Sequence, residues 1–218
     1  MTGVIIHRKK LLVDSQADIG VGSLIIFIAA LLVAGIVASV LIQTVNTLQQ
    51  QALKTGEETM REVSSGLQVT HVSGYVASSK ITQLAIFISP SAASQAVNLS
   101  TAYISLSNSS RTVILNYTKA CFNTTVSTNG LFRTQDASKL SATTYGIIVI
   151  RDADSSCKQY HPAINERDLV VLIVNATKCF SGIETRKLIS GSVDPEYGMS
   201  GVLSFVTPPA FVDTIIDL

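Results

Sequence analysis

Two patterns of apolar and polar positions divide the 218-residue chain. Between Asp18 and Lys54 no side chain is charged, and residues 19–42 are almost wholly apolar. Beyond that, Val45, Leu48, Ala52, Gly56, Met60 and Val63 recur at steps of three or four, which puts them on one stripe of a helix. The opposite face offers Lys54 with Glu58 and Glu57 with Arg61 at the i,i+4 spacing of ion pairs. No proline interrupts residues 21–65, so the pattern predicts one continuous helix there, roughly 65 to 70 Å long for about 45 residues, within an assembly segment that spans residues 18–65. A bilayer core of about 30 Å needs only about 20 of them. The first half can therefore span a membrane while the second packs against protein and water.

After Gly66 the period changes. Short runs rich in Val, Ile, Thr and Tyr alternate with Ser, Asn, Gly and Pro clusters, the signature of strands and turns. Segments 67–76, 81–88, 102–106, 112–117, 146–150, 169–174, 202–206 and 211–216 read as strands. About eight strands over residues 66–218 predict an antiparallel sandwich or barrel, so the fold class is α+β: a long N-terminal helix, then an all-β head.

The segment before the helix, residues 1–17, carries His7, Arg8, Lys9 and Lys10. Positive charge before an apolar span stays on the cytoplasmic side, which sends the head outward. The apolar run is too long for an ordinary secretory signal, whose core is 7 to 15 residues. Gly20 and Gly22 form a Gly-x-Gly pair, but no strand precedes it and no third glycine follows at the dinucleotide-binding spacing. Within the span, Ala30, Ala34 and Ala38 repeat every fourth residue, as do Gly35 and Ser39. Small residues so spaced let helix backbones approach closely in an apolar medium.

Composition narrows the function. Charged residues are 14% of the chain and the net charge is +1, with no basic stripe beyond the first ten residues, so nucleic acid is excluded as a partner. The three histidines, His7, His71 and His161, stand in no nucleophile–base pattern, and the reading is of a protein that is not an enzyme and takes no cofactor. Cys157 and His161 alone make a poor zinc site, so no metal is assigned. Asp152, Asp154, Glu166 and Asp168 could approach one another and hold calcium, although solvated loop charges explain them as well. Five of eight asparagines, Asn98, Asn108, Asn116, Asn123 and Asn175, lie in Asn-x-Ser/Thr sequons, which points to an N-glycosylated exported surface. Cys121, Cys157 and Cys179 all fall in the head, where export permits a disulfide, and an odd count leaves one thiol over.

Residues 17–29, ADIGVGSLIIFIA, resemble the start of the archaellins, the archaeal flagellins built like type IV pilins. The resemblance continues in residues 145–154, 167–172 and 205–209. It implies that a prepilin-type peptidase removes residues 1–17 as a leader, cutting between Ala17 and Asp18, with Gln16–Ala17 as the alternative bond. It also implies an immunoglobulin-like sandwich head and helices packed through Gly20, Gly22, Ala30, Ala34, Gly35, Ala38 and the 45–63 stripe. The expected function is a structural subunit of the archaellum, the archaeal motility filament: an extracellular, glycosylated helical homopolymer that other archaellins can join. Its subunits would wait in the membrane and assemble on the archaellum motor and membrane platform. Two other readings share parts of this pattern, an archaeal adhesion pilin and a membrane-anchored receptor or binding domain.

Overall fold

The computed structural model describes residues 8–91 and 96–218, with side chains from Gly20 onward. Residues 1–7, including His7 of the basic cluster, lie outside the described residues. The chain divides into two compact units, Met1–Gly56 and Glu57–Leu218.

One helix, α1 (Arg8–Ser64), makes up the described part of the first unit and opens the second. It runs unbroken through the Ala17–Asp18 bond. Its polar side chains fold back onto its own backbone: Ser23 Oγ donates to the Gly20 carbonyl at 2.9 Å and Thr44 Oγ1 to the Val40 carbonyl at 2.8 Å. Such bonds lower the cost of carrying a hydroxyl through an apolar medium.

The second unit holds eleven strands among the described residues, and its main sheet has nine. They are β1 (Leu67–Ala77), β2 (Lys80–Pro90), β3 (Val97–Asn98), β4 (Tyr103–Ser107), β5 (Thr112–Asn123), β6 (Thr144–Arg151), β7 (Ala163–Ile164), β8 (Leu169–Asn175), β9 (Leu188–Asp194), β10 (Gly201–Val206) and β11 (Ile215–Asp217). A short helix, α2 (Ala176–Phe180), follows β8. The sheet order is β10-β9-β4-β5-β6-β8-β2-β1-β11, with β3 and β7 paired apart. β1 and β2 form a hairpin whose two turn residues, Ser78 and Ser79, have φ of 53° and 59°, the geometry of the tight turn that matches strand twist.

The strands fold over into two layers around one core. Leu84, Ile86 and Ile88 of β2, Leu172 of β8, Ile104 of β4, Leu115 of β5 and Ile189 of β9 all belong to the same buried cluster. The layers join at β5 and β6, which pair in parallel with a register shift between Tyr117 and Phe122. The all-antiparallel expectation is corrected there, because the chain crosses between layers through residues 124–143. Tyr145, fully buried, donates its hydroxyl to the carbonyls of Leu99 (2.9 Å) and Ala102 (3.0 Å), closing one edge of the core.

Half of the sheet is covered on both faces. Alternate residues Ala85, Ile148, Val171 and Ile173 form a second buried cluster with Phe132 and Leu140, which the crossing segment lays over them. A strand buried on both sides needs a continuous apolar run, which residues 169–174 (LVVLIV) provide.

Candidate assembly surface

The apolar side chains of the helix are exposed. Phe27 is 62% exposed, Leu41 59%, Met60 75% and Val63 74%. The segment Gly20–Ser64 includes an 18-residue stretch of mean hydropathy 3.1, none of it buried. At about 25 cal/mol per Å², keeping this much apolar surface in water costs tens of kcal/mol. A monomer in water is therefore not its working state.

The small residues fall where the spacing places them. Ala30, Ala34 and Ala38 lie along a shallow apolar groove walled by Ile26, Val33, Val37 and Leu41. Gly20, Gly22, Gly35 and Gly56 each have open space where a side chain would stand, so among the described residues nothing requires glycine there. An interior helical glycine costs about 1 kcal/mol relative to alanine. The close approach that would offset this cost must come from outside the chain. The 45–63 stripe, Val45, Leu48, Ala52, Met60 and Val63, is exposed along its length. Arg61, which the spacing set against Glu57, lies over the Tyr197 ring at 5.8 Å from its centroid.

Where the helix gives way to the sheet, backbone bonds lock residues 65–67 to residue 199. Met199 N–H donates to the Ser65 carbonyl and Leu67 N–H to the Met199 carbonyl, each at 2.9 Å. Gly198 makes this possible: its φ is 95°, and a Cβ there would strike the Ser65 carbonyl. The local sequence, Gly-Met-Ser-Gly, carries no sign of this role, which depends on a segment more than 130 residues earlier.

Asp152, Asp154 and Asp168 do converge, with one oxygen from each lying within 4.8 Å of the others, while Glu166 is exposed and outside the group. These are oxygen donors of the kind that hold calcium. Yet all six carboxylate oxygens already accept an N–H. Asp152 takes Ser156 N (3.2 Å) and Cys157 N (3.0 Å); Asp154 takes Ser156 N (3.0 Å) and Asn165 Nδ2 (2.5 Å); Asp168 takes Ala153 N (3.4 Å) and Asn165 N (2.9 Å). These bonds hold Asp154 below the usual carboxylate range, chiefly through Ser156. The acids staple residues 152–168 together, a role beyond that of solvated loop charges.

His71 Nε2 lies 3.1 Å from Asp217 Oδ1 and 2.9 Å from Ser73 Oγ. A hydrolytic triad uses the two ring nitrogens separately, one for the hydroxyl and one for the acid, whereas here Nε2 meets both, and the grouping ties β11 to β1.

The disulfide left open by the cysteine count is not formed: Cys121, Cys157 and Cys179 are buried free thiols. The sheet separates Cys121, in the second cluster, from Cys157 and Cys179 in the main core. Cys179 Sγ meets the Ala142 carbonyl at 3.6 Å, on the short helix after β8, whereas Cys157 is held in the acidic loop. Burial pushes the Cys157 thiol up to about 12 and the Cys179 thiol to about 11, so neither is a nucleophile at neutral pH.

Of the five sequon asparagines, Asn175 is corrected. It is only 8% exposed, its Nδ2 donates to the Ala137 carbonyl at 2.8 Å, and its Oδ1 accepts Lys178 N at 3.1 Å as the N-cap of α2. A glycan needs that nitrogen and open space. Asn98 and Asn108 accept backbone N–H groups in turns through Oδ1, Asn116 stands exposed in β5, and Asn123 closes that strand half-buried.

The archaeal-type flagellin family model matches residues 17–205. Flagellin B2 of Methanocaldococcus jannaschii is 38% identical over 206 residues, covering 94% of this chain and 95% of the relative. Flagellin B1 of Methanococcus voltae is 36% identical over 215 residues, covering 96% and 98%. The crystal structure of an archaeal flagellin from Methanocaldococcus jannaschii superposes with a TM-score of 0.65 at 34% identity, covering 71% of this chain and 96% of that one. The archaeal flagellum of Methanospirillum hungatei shares the fold, with a TM-score of 0.62 at 13% identity over 88% of this chain and 95% of that one.

Proposed function

This chain belongs to the archaeal-type flagellin family, and from that membership we propose that it is a structural subunit of the archaeal flagellum, polymerising through α1 into an extracellular filament for swimming. The observation that carries the mode of assembly is the uncovered helix. A charge-free run of residues 19–53, with glycines that no described neighbour requires, is suited to lipid first and to identical helices afterwards. Direct transfer from membrane to helical bundle never exposes it to water. The buried helices then carry cohesion and torque, and the heads meet solvent.

This reading implies three partners. A prepilin-type peptidase removes residues 1–17, leaving Asp18 as the first residue of the subunit. The membrane stores the precursor. The archaellum motor and membrane platform supply the work. Support for leader removal comes from the basic Arg8-Lys9-Lys10 cluster ahead of the apolar run and from the positions of Gly20 and Gly22.

Mass spectrometry of the N-terminal peptide, from material sheared off intact cells, tests the proposal. A start at Asp18 or Ala17 in the sheared fraction is the expected result. A chain that keeps Met1 and stays with the membrane overturns it in favour of an anchored binding protein.

A further inference from the structure

The outward face of the head carries a row that crosses three strands. Antiparallel pairing sets Asn116 of β5 opposite Tyr103 of β4, and Tyr103 in turn opposite Asp194 of β9. Directly opposed residues share a face, with Cβ atoms about 5 Å apart. Their inward neighbours Leu115, Ile104 and Val193 are fully buried, so the row itself points out: Asn116 is exposed and Tyr103 is 43% exposed. Asn116-Tyr117-Thr118 is a sequon. We infer that Asn116, Tyr103 and Asp194 form a glycan seat, in which the first sugar of an N-linked chain on Asn116 lies against the Tyr103 ring and reaches Asp194 with a hydroxyl.

The inference rests on the exported-filament reading, since it requires the head to meet a glycosylating enzyme outside the cytoplasm. The covalent step needs a glycosyl phosphate donor. Asn116 Nδ2 bonds to the anomeric carbon and gives up one proton, while the donor's anomeric C–O bond breaks and the phosphate leaves with the electron pair. Recognition of the attached sugar then falls to this chain's own residues. A sugar presents C–H groups that suit the apolar body of a tyrosine, and hydroxyls that suit a carboxylate. Asp194 is already oriented, with Oδ2 accepting from Ser192 Oγ at 2.7 Å. Asn98 and Asn108 instead sit in turns with Oδ1 committed to backbone N–H groups, and Asn175 is sealed in the core surface. Asn116 alone of these is opposed across the strand pair by an exposed aromatic.

The test uses sheared filaments of the intact chain. Trypsin releases residues 112–119, which contain Asn116 as their one sequon, and this peptide is expected to carry the added mass of a glycan. Tetranitromethane nitration of Tyr103 is then compared between the wild type and Thr118→Ala, which keeps Asn116 but destroys the sequon. Tyr103 is expected to react several-fold more slowly in the wild type. Asn116→Gln should match Thr118→Ala, and serves in its place if that variant gives no filaments. A bare Asn116, or equal nitration rates, overturns the seat while leaving the filament reading intact. Absence of the chain from the sheared fraction overturns the filament reading instead.

Discussion

The helix and the head solve opposite problems with the same kinds of side chain. Val, Ile and Leu in the head are paired off inside a two-layer core, where Leu84, Ile104 and Leu172 are fully buried. In α1 the same residue types stand about half exposed or more from Leu24 to Leu53. The head is complete as a single chain, and the helix is complete only among other helices or in lipid. Apolar content alone therefore says little about stability; what matters is whether the partner surface lies in the same chain.

Cutting the two apart should produce the largest effect. Residues 57–218, which keep only the last turns of α1 and none of its charge-free run, should be a soluble monomer with one cooperative unfolding transition, whereas the full chain in water should aggregate. Sedimentation and calorimetry distinguish these outcomes, and a fragment without a transition would mean that the head borrows stability from α1. A smaller change within the helix should be nearly as damaging to assembly. Gly35→Glu buries a charge among apolar helices at a cost of several kcal/mol. Filament yield from sheared cells should fall below detection while the melting of the head is unchanged. Normal yield would remove Gly35 from the packing surface.

Much of this division could be read in the residues, for a physical reason. A 3.6-residue period sustained without proline leaves a helix little alternative, and alternation after Gly66 leaves a strand little alternative. The eight expected strand segments therefore match observed ones, with Leu67, Thr112 and Leu169 starting theirs as expected. The last ran longer in expectation than in fact: β11 keeps only Ile215–Asp217. The remainder was illegible because it depends on contacts distant in sequence. β9 reads LISGSVD, too rich in serine and glycine to announce itself, and is held by pairing with β4 and β10. Nothing local marks β5 and β6 as parallel. Asn175 reads as a sequon by its motif and as a cap only by its surroundings, and the three acids of the 152–168 loop are bound by amides that no spacing rule supplies.

Within the head, the interior strand β8, paired on both edges and buried on both faces, should be the costliest place to cut. Leu172→Ala removes a fully buried side chain from the main core and should destabilise the head by about 2–5 kcal/mol in urea unfolding, leaving the helix competent to assemble at low temperature. Next comes the corrected sequon. Asn175→Ala loses both the cap on Lys178 N and the bond to Ala137, and should cost about 2 kcal/mol. Thr177→Ala destroys the same sequon but keeps Asn175, and should cost much less. If Asn175 instead mattered through a glycan, the two variants would fall together.

The smallest effect separates surface charge from buried fit. Lys80 Nζ lies 3.0 Å from Glu184 Oε1, both side chains well exposed. That hydrogen bond, and then the charge of Lys80, hold the Glu184 carboxyl below its ordinary value of 4.5. An acid whose folded pKa is depressed adds stability above its unfolded pKa, and loses it as pH falls through the folded one. Glu184→Gln should therefore lower the thermal midpoint of the head slightly at pH 7, with the gap closing as pH falls below about 4. Salt should close it too, because exposed pairs are screened. Leu172→Ala should keep its full deficit under both conditions, since neither proton nor salt reaches a packed side chain. A pH-independent Glu184→Gln deficit would instead assign that side chain a packing role, as with the core residues beside it.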